Sequence, residues 1–333
     1  MYRPWGILDW VIKRSPPVLW GLLGCLGTEE RSLSAWTRLR ALGCLGDYRM
    51  LRIADRPSRF TQRARLRLRE RMSFFRQNGG RCKFLHNYDL IDATYGEIET
   101  GIAGDLKNIG ENIILDVTSM PKRFFFPALR MCLESADIHN LLVTYTAAHS
   151  YTPDKLAENC EEWAHLPLFS GTYTRQASEM LIVGVGFEGL GLQEQVDHSN
   201  PGKPIKLIFP FPSPPHSFRR AWECVRKLQK HKASDVFELY HSDYRDISDC
   251  FDRLISITDA GRKRAEFAPF GPKPISVGMC IFATITGSEV YYTQPKVYHP
   301  DYSLGVAVDD GVPAIYTYCI RLAKRDLYSI PRE

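Results

Sequence analysis

The stretch Asn112-Ile113-Ile114-Leu115-Asp116-Val117-Thr118-Ser119-Met120-Pro121-Lys122-Arg123 decides the fold. Its first six residues form a short apolar run of strand length. Thr, Ser and Pro then supply a turn, and Pro121-Lys122 opens a stretch that reads as a helix. Strand, polar loop and helix in that order make one βα step of a parallel sheet. The step returns at Ala265–Pro269 with Phe270-Gly271-Pro272-Lys273-Pro274 behind it.

Outward from these two points, short apolar runs alternate with longer amphipathic ones. Strands are predicted at Val18–Leu23, Tyr48–Ile53, Cys82–His86, Asn112–Val117 and Leu141–Thr146, and again at Met180–Gly184, Ile205–Phe209, Val236–His241, Ala265–Pro269 and Glu289–Thr293. The loops behind them match in order. Arg56-Pro57-Ser58-Arg59-Phe60 faces Pro214-Pro215-His216-Ser217-Phe218, and Leu85-His86-Asn87 faces Tyr240-His241-Ser242. Ser119-Met120-Pro121-Lys122-Arg123 faces Phe270-Gly271-Pro272-Lys273-Pro274, and Tyr145-Thr146-Ala147-Ala148 faces Tyr292-Thr293-Gln294-Pro295. The spacing between partners shortens steadily along the chain, as loop lengths would make it. The expected architecture is α/β: two tandem Rossmann-like parallel-sheet units related by internal duplication. Their bounds are 1–152 and 179–333, with an ordered linker at 153–178 around Trp163 and Phe169. Gly305–Val308, Asp309-Asp310-Gly311 and Ala314–Leu322 read as a terminal antiparallel hairpin added to the second sheet.

Open parallel sheets bind ligands outside the carboxyl ends of their strands, and the repeated polar residues are expected there. In the first half these are Arg59, His86, Asp116, Thr118, Ser119, Lys122, Arg123, Thr146 and His149. In the second they are Arg219, His241, Gly271, Lys273, Thr293, Tyr298 and His299. Lys122 and Lys273 each follow a proline and open a helix, where unpaired N–H groups and a partial positive charge attract phosphate. Asp116 with Thr118 and Ser119 suits either hydrolysis or a turn cap. His86 and His241 suit a general base, a phosphate partner or a buried structural ring.

Val183-Gly184-Val185-Gly186-Phe187-Glu188-Gly189 is a literal G-x-G-x-x-G between strand and helix. The ribose-binding acid expected about 20 residues on is missing near Phe209-Pro210-Phe211. No dinucleotide cofactor is therefore expected, and the glycines are read as packing devices. No H-E-x-x-H, clustered Cys/His or EF-hand spacing occurs, so no metal is expected. No Walker loop or G-x-S-x-G elbow occurs either.

From Arg49 to Arg76 there are ten arginines against two acids, Asp55 and Glu70, so this segment holds more excess charge than the whole chain. Arg63, Arg65, Arg67, Arg69 and Arg71 spread charge around a helix, which suits nucleic acid or an acidic protein surface. The 333 residues carry 43 Lys+Arg against 38 Asp+Glu and are 44% apolar, which excludes a disordered or coiled-coil chain. The apolar run Pro17–Gly27 is too short to span a membrane and lacks a cleavage pattern. Nine singly spaced cysteines fit reducing cytoplasm.

A Rossmann-like unit with a polar loop and Lys after its fourth strand resembles the CRISPR-associated Rossmann fold (CARF). Its tandem form resembles the SAVED domain of bacterial antiphage systems. The resemblance rests on Thr118-Ser119-Met120-Pro121-Lys122-Arg123 and Phe270-Gly271-Pro272-Lys273-Pro274, which lack the Gly-Gly-Thr sequence of those families. It implies sensing of a cyclic oligonucleotide in a pseudo-two-fold cleft, with the signal passed to a separate effector. Three other readings stay open: a phosphodiesterase using His86 or His241, a non-catalytic interaction subunit using the arginine-rich helix, and a Rossmann enzyme on an ordinary nucleotide.

Overall fold

A computed structural model describes residues 2–171, 177–187, 189, 192, 203–213, 217–231 and 237–331. Pro214, Pro215 and His216 of the second-strand loop, Glu188 of the glycine motif, Val236, and residues 172–176 of the linker lie outside the described residues.

The first part of the chain runs β1 (Trp5–Ile7), α1 (Leu8–Arg14), β2 (Trp20–Cys25), α2 (Ser34–Ala41), β3 (Leu45–Ala54), α3 (Thr61–Gln77), β4 (Leu85–Asp89), α4 (Tyr95–Ile109), β5 (Asn112–Asp116), α5 (Lys122–Glu134) and β6 (Asn140–Thr146). After β7 (Ala148–Tyr151) and β8 (Ala157–His165) come β9 (Met180–Gly184), β10 (Ile205–Pro210), α6 (Phe218–His231), β11 (Phe237–Ser242), α7 (Ile247–Ile257), β12 (Ala265–Pro269) and α8 (Lys273–Thr286). The last strands are β13 (Tyr291–Tyr298), β14 (Ser303–Val306), β15 (Val308–Asp309), β16 (Val312–Pro313), β17 (Ile315–Leu322) and β18 (Arg325–Asp326).

Two compact units result. One comprises Met1–Glu158 and Lys296–Tyr328, the other Asn159–Pro295 and Ser329–Glu333. In the first unit the sheet order is β1-β17-β6-β5-β2-β3-β4, and its five central strands are parallel. In the second it is β11-β10-β9-β12, all parallel, with Val290 bridging Phe267 of β12 in parallel. Numbered along the chain, the parallel strands run 5-4-1-2-3 in the first sheet and 4-1-2-3 in the second, where the Val290 bridge stands in the fifth place. Read from the other edge, 3-2-1-4-5 is the order of the first five strands of a doubly wound Rossmann sheet.

The physical causes are local. β2, β6 and β9 are buried at every position, the mark of strands covered by helices on both faces. α4 begins at a capping box in which Thr94 and Glu97 satisfy each other's backbone N–H groups. Gly21 is required in β2, because a Cβ there would lie 2.0 Å from the Ile109 carbonyl oxygen.

The terminal hairpin forms around Asp310-Gly311, with Val308 opposite Pro313, but it belongs elsewhere than the sequence places it. β17 runs antiparallel to β6 and extends the first sheet, not the second. β6 would otherwise end the first sheet as a long apolar edge of unpaired backbone groups, and β17 covers it. Beside β12 the corresponding place is taken by Val290. The expected bounds 1–152 and 179–333 are corrected accordingly: residues 296–328 return to the first unit, and much of the linker is ordered structure. β8 forms a two-stranded sheet with β13. Trp163 stacks on Tyr291 at 5.3 Å, and Phe169 is fully buried. None of the nine cysteines is in a disulfide. Among the described residues no helix is long and apolar enough to cross a membrane.

Candidate functional site

In the first unit the loop from β5 to α5 is built by hydroxyls. The buried Asp116 carboxylate accepts from the Thr118 amide at 3.2 Å, from the Thr118 hydroxyl, and from the Thr144 hydroxyl at 3.2 Å. Thr118 Oγ1 accepts in turn from the Thr146 amide at 2.9 Å, tying the loop to β6. Ser119 donates to the Cys25 carbonyl at 2.8 Å, tying it to β2. Asp116 thus acts as a turn cap, fixed by groups that hold it away from solvent. The Thr146 hydroxyl is buried with no hydrogen-bond partner among the described residues.

Pro121 caps α5 through its backbone, without a side-chain hydrogen bond, and Lys122 is the first helical residue. Lys122 is only 8% exposed, and burial pushes its ammonium down to about 8. Lys122 is thus a buried cation at a helix start whose cap makes no side-chain hydrogen bond. Its neighbour Arg123 is committed elsewhere. The guanidinium donates to the Ala93 carbonyl at 2.7 Å and to that of Ile91 at 3.3 Å, and lies over the Tyr95 ring. Arg59 pairs with Glu158, and His149 is exposed on β7.

The second unit repeats the helix start. Pro272 caps α8 without a side-chain hydrogen bond, and Lys273, half-buried, is the first helical residue. The loop ahead of it is built by backbone contact instead of hydroxyls. A Cβ on Gly186 would lie 2.0 Å from the Phe270 carbonyl oxygen, and one on Gly184 would lie 3.4 Å from the Gly271 amide. The glycine motif therefore lets two loops cross. Thr293 is buried, while Arg219 is solvent-exposed and pairs with Glu223 one helical turn on. His241, exposed at the end of β11, lies against the rings of Phe209 and Phe211.

Three expected positions are corrected. His86 stands near the start of β4 and not at its end, because Cys82–Phe84 forms a 3-10 turn and the strand begins only at Leu85; through Leu51 it is level with Cys25, the last residue of β2. There its Nδ1 meets the fully buried Asp105 at 2.8 Å, with Arg49 3.7 Å from the same carboxylate. Burial raises the Asp105 carboxyl above its usual range, against the opposing effect of His86 and Arg49 beside it. His86 and His241 are therefore not equivalent. Tyr298 and His299 belong to the first unit, where the Tyr298 amide donates to Asp55 at 2.8 Å and Phe60 packs on His299. Burial pushes Asp55 up to about 6.

The arginine-rich segment divides. Arg63 and Arg67 both pair with Asp301, a nearly buried carboxylate, and Arg56 pairs with Asp92. Those arginines are partly structural, a correction to the expectation of a wholly exposed contact face. Sequence reasoning also missed Arg31, which is 3% exposed and donates to Glu29, Ser303 and the Thr146 carbonyl. The signal for it is weak, since two of its three acceptors, Ser303 and the Thr146 carbonyl, are remote in the chain. Among the described residues no three of His, Cys, Asp and Glu gather as metal ligands.

No protein-family model matches the sequence, and no curated protein does. Among solved structures, a functionally unknown protein of Pseudomonas aeruginosa PAO1 is 10% identical, over 84% of this chain and 93% of that one, with a TM-score of 0.22. A C2-type ketoreductase of a modular polyketide synthase is 11% identical, over 86% of this chain and 68% of that one, with the same TM-score. A ketoreductase from the first module of phoslactomycin biosynthesis in Streptomyces sp. HK803 is 12% identical, over 86% and 67%, again at 0.22. Scores so low carry no argument about this chain.

Proposed function

We propose that the chain binds a phosphate-bearing nucleotide at the carboxyl ends of its parallel strands and acts as a sensor. One observation carries the reading: after the fourth strand of each unit, an uncapped helix begins on a Pro-Lys step, at Lys122 and at Lys273. A helix start places backbone N–H groups beside the lysine there, fewer than the usual four because Pro121, Pro272 and Pro274 have none, and phosphate accepts from both kinds of donor. The resemblance to tandem CARF and SAVED proteins makes a cyclic oligonucleotide the first ligand to try, with bacterial antiphage defence as the setting and a separate effector as the recipient.

Sensing is favoured over phosphodiester hydrolysis by the fate of the candidate bases. Asp116 is held in its own loop, and His86 sits with Asp105 at the other end of its strand. Of the candidate bases only His241 stands exposed at a strand end. Titration with mono-, di- and cyclic oligonucleotides, with mass spectrometry of the mixture afterwards, tests the reading. A sensor returns its ligand intact and reports one or two ligands per chain. Turnover abolished by His241→Ala would establish the hydrolase instead.

A further inference from the structure

The arginines of α3 lie on two flanks of its one buried residue, Phe75. At 100° per residue Arg63, Arg67 and Arg71 fall on one flank, and Arg65, Arg69 and Arg76 on the other. The first flank is occupied, since Asp301 takes Arg63 and Arg67. The second opens on a groove of about 680 Å³ between α3 and the end of β3, where Arg52 joins it from the strand. The side chains of Arg52, Arg65 and Arg69 make no hydrogen bond, ion pair or ring contact with any described residue. No acid lines the groove, and its floor is apolar: Ile53, Leu68 and Met72.

We infer that this groove is a binding site for single-stranded nucleic acid, independent of the nucleotide site at Lys122 and Lys273. Three features favour that occupant. From Arg65 to Arg76 the helix rises about 16 Å, so the charge forms a line for a repeating polyanion instead of a point for one phosphate. The segment from Arg49 to Arg76 contains ten arginines and no lysine; guanidinium binds phosphate bidentately and also stacks on bases. The apolar floor asks for exposed base faces, which a single strand offers and a duplex keeps inside.

Fluorescence anisotropy with a labelled oligothymidylate, on the full chain across a salt series, tests this. Four phosphate contacts predict a log–log salt slope of about −3. The double variant Arg65→Ala, Arg69→Ala should flatten the slope by about 1.4 and weaken binding at least about tenfold. Its thermal midpoint should hold, because neither side chain makes a hydrogen bond, ion pair or ring contact with a described residue. Arg63→Ala should leave slope and affinity unchanged, and so should Lys122→Met, which separates this site from the nucleotide site. Equal binding by the double variant would overturn the inference. Tighter binding of a duplex, or of polyglutamate at the same ionic strength, would overturn it too.

Discussion

The loops behind β5 and β12 occupy the same place in two sheets whose first four parallel strands follow one order, and they are held by different physics. In the first unit, hydroxyls and one buried carboxylate fix the loop, and the lysine behind it is buried. In the second, glycines let backbone cross backbone, Phe270 packs on Tyr292 at 5.2 Å, and the lysine is half-exposed. What is shared is the Pro-Lys helix start. The same helix start is thus reached from two loops whose supports differ.

The largest expected effect breaks the second loop. Gly186→Ala places a Cβ 2.0 Å from a carbonyl oxygen, and should destabilise by about 3 kcal/mol or more in denaturant melts. Gly27→Ala, the counterpart in the first unit, meets only the Ser119 side chain at 3.1 Å and should cost about 1 kcal/mol or less.

The next effect concerns the buried charge. Lys122 has its ammonium lowered to about 8 from 10.5, so the folded state holds its proton less tightly than the unfolded chain does. Below pH 8 both states carry the charge and the burial penalty is present in full. Between pH 8 and 10.5 the folded state sheds the proton and stability rises, by up to about 3 kcal/mol. Lys122→Met should remove that rise and gain stability at pH 7. A wild-type protein whose stability is flat over this range would contradict the burial of Lys122.

Asp116→Ala sharpens the comparison on the hydrogen-bonded side. It removes the acceptor of the buried Thr118 hydroxyl in the loop and of the buried Thr144 hydroxyl on β6, at about 2 kcal/mol. β12 ends at Pro269 and has no acid there to lose. The smallest effect is at Arg63→Ala, half-exposed against Asp301, which should cost about 1 kcal/mol or less in thermal melts.

The nine parallel strands of the two sheets are legible in the sequence, because a buried parallel strand is a continuous apolar run and says so locally; the tenth expected strand, Glu289–Thr293, gives the second sheet only the Val290 bridge and otherwise pairs with β8. The edge that receives a strand is not local. β17 reads as a strand from Ile315 onward, yet its partner β6 is chosen by an open edge far back in the chain. The same reason divides the arginines: a run of positive charge is visible in one segment, but Arg67 is paired by Asp301, 234 residues away. His86 was legible as a residue near a strand and not as one at its start, because the 3-10 turn at Cys82–Phe84 shifts the boundary by three residues. Asp116, Thr118 and Thr146 are polar residues at a strand end, and only the geometry tells a loop's fastening from a ligand's contact.

The central claim is that the Pro-Lys helix starts bind phosphate, and calorimetric titration of a cyclic oligonucleotide tests it most directly. Lys122→Met, which keeps the length and burial of the side chain, should weaken binding by about 1.5–3 kcal/mol. In the wild type, affinity should fall as pH rises above 8, where Lys122 loses its charge. Unchanged affinity in both Lys122→Met and Lys273→Met, with no pH dependence between 7 and 9, would contradict the account.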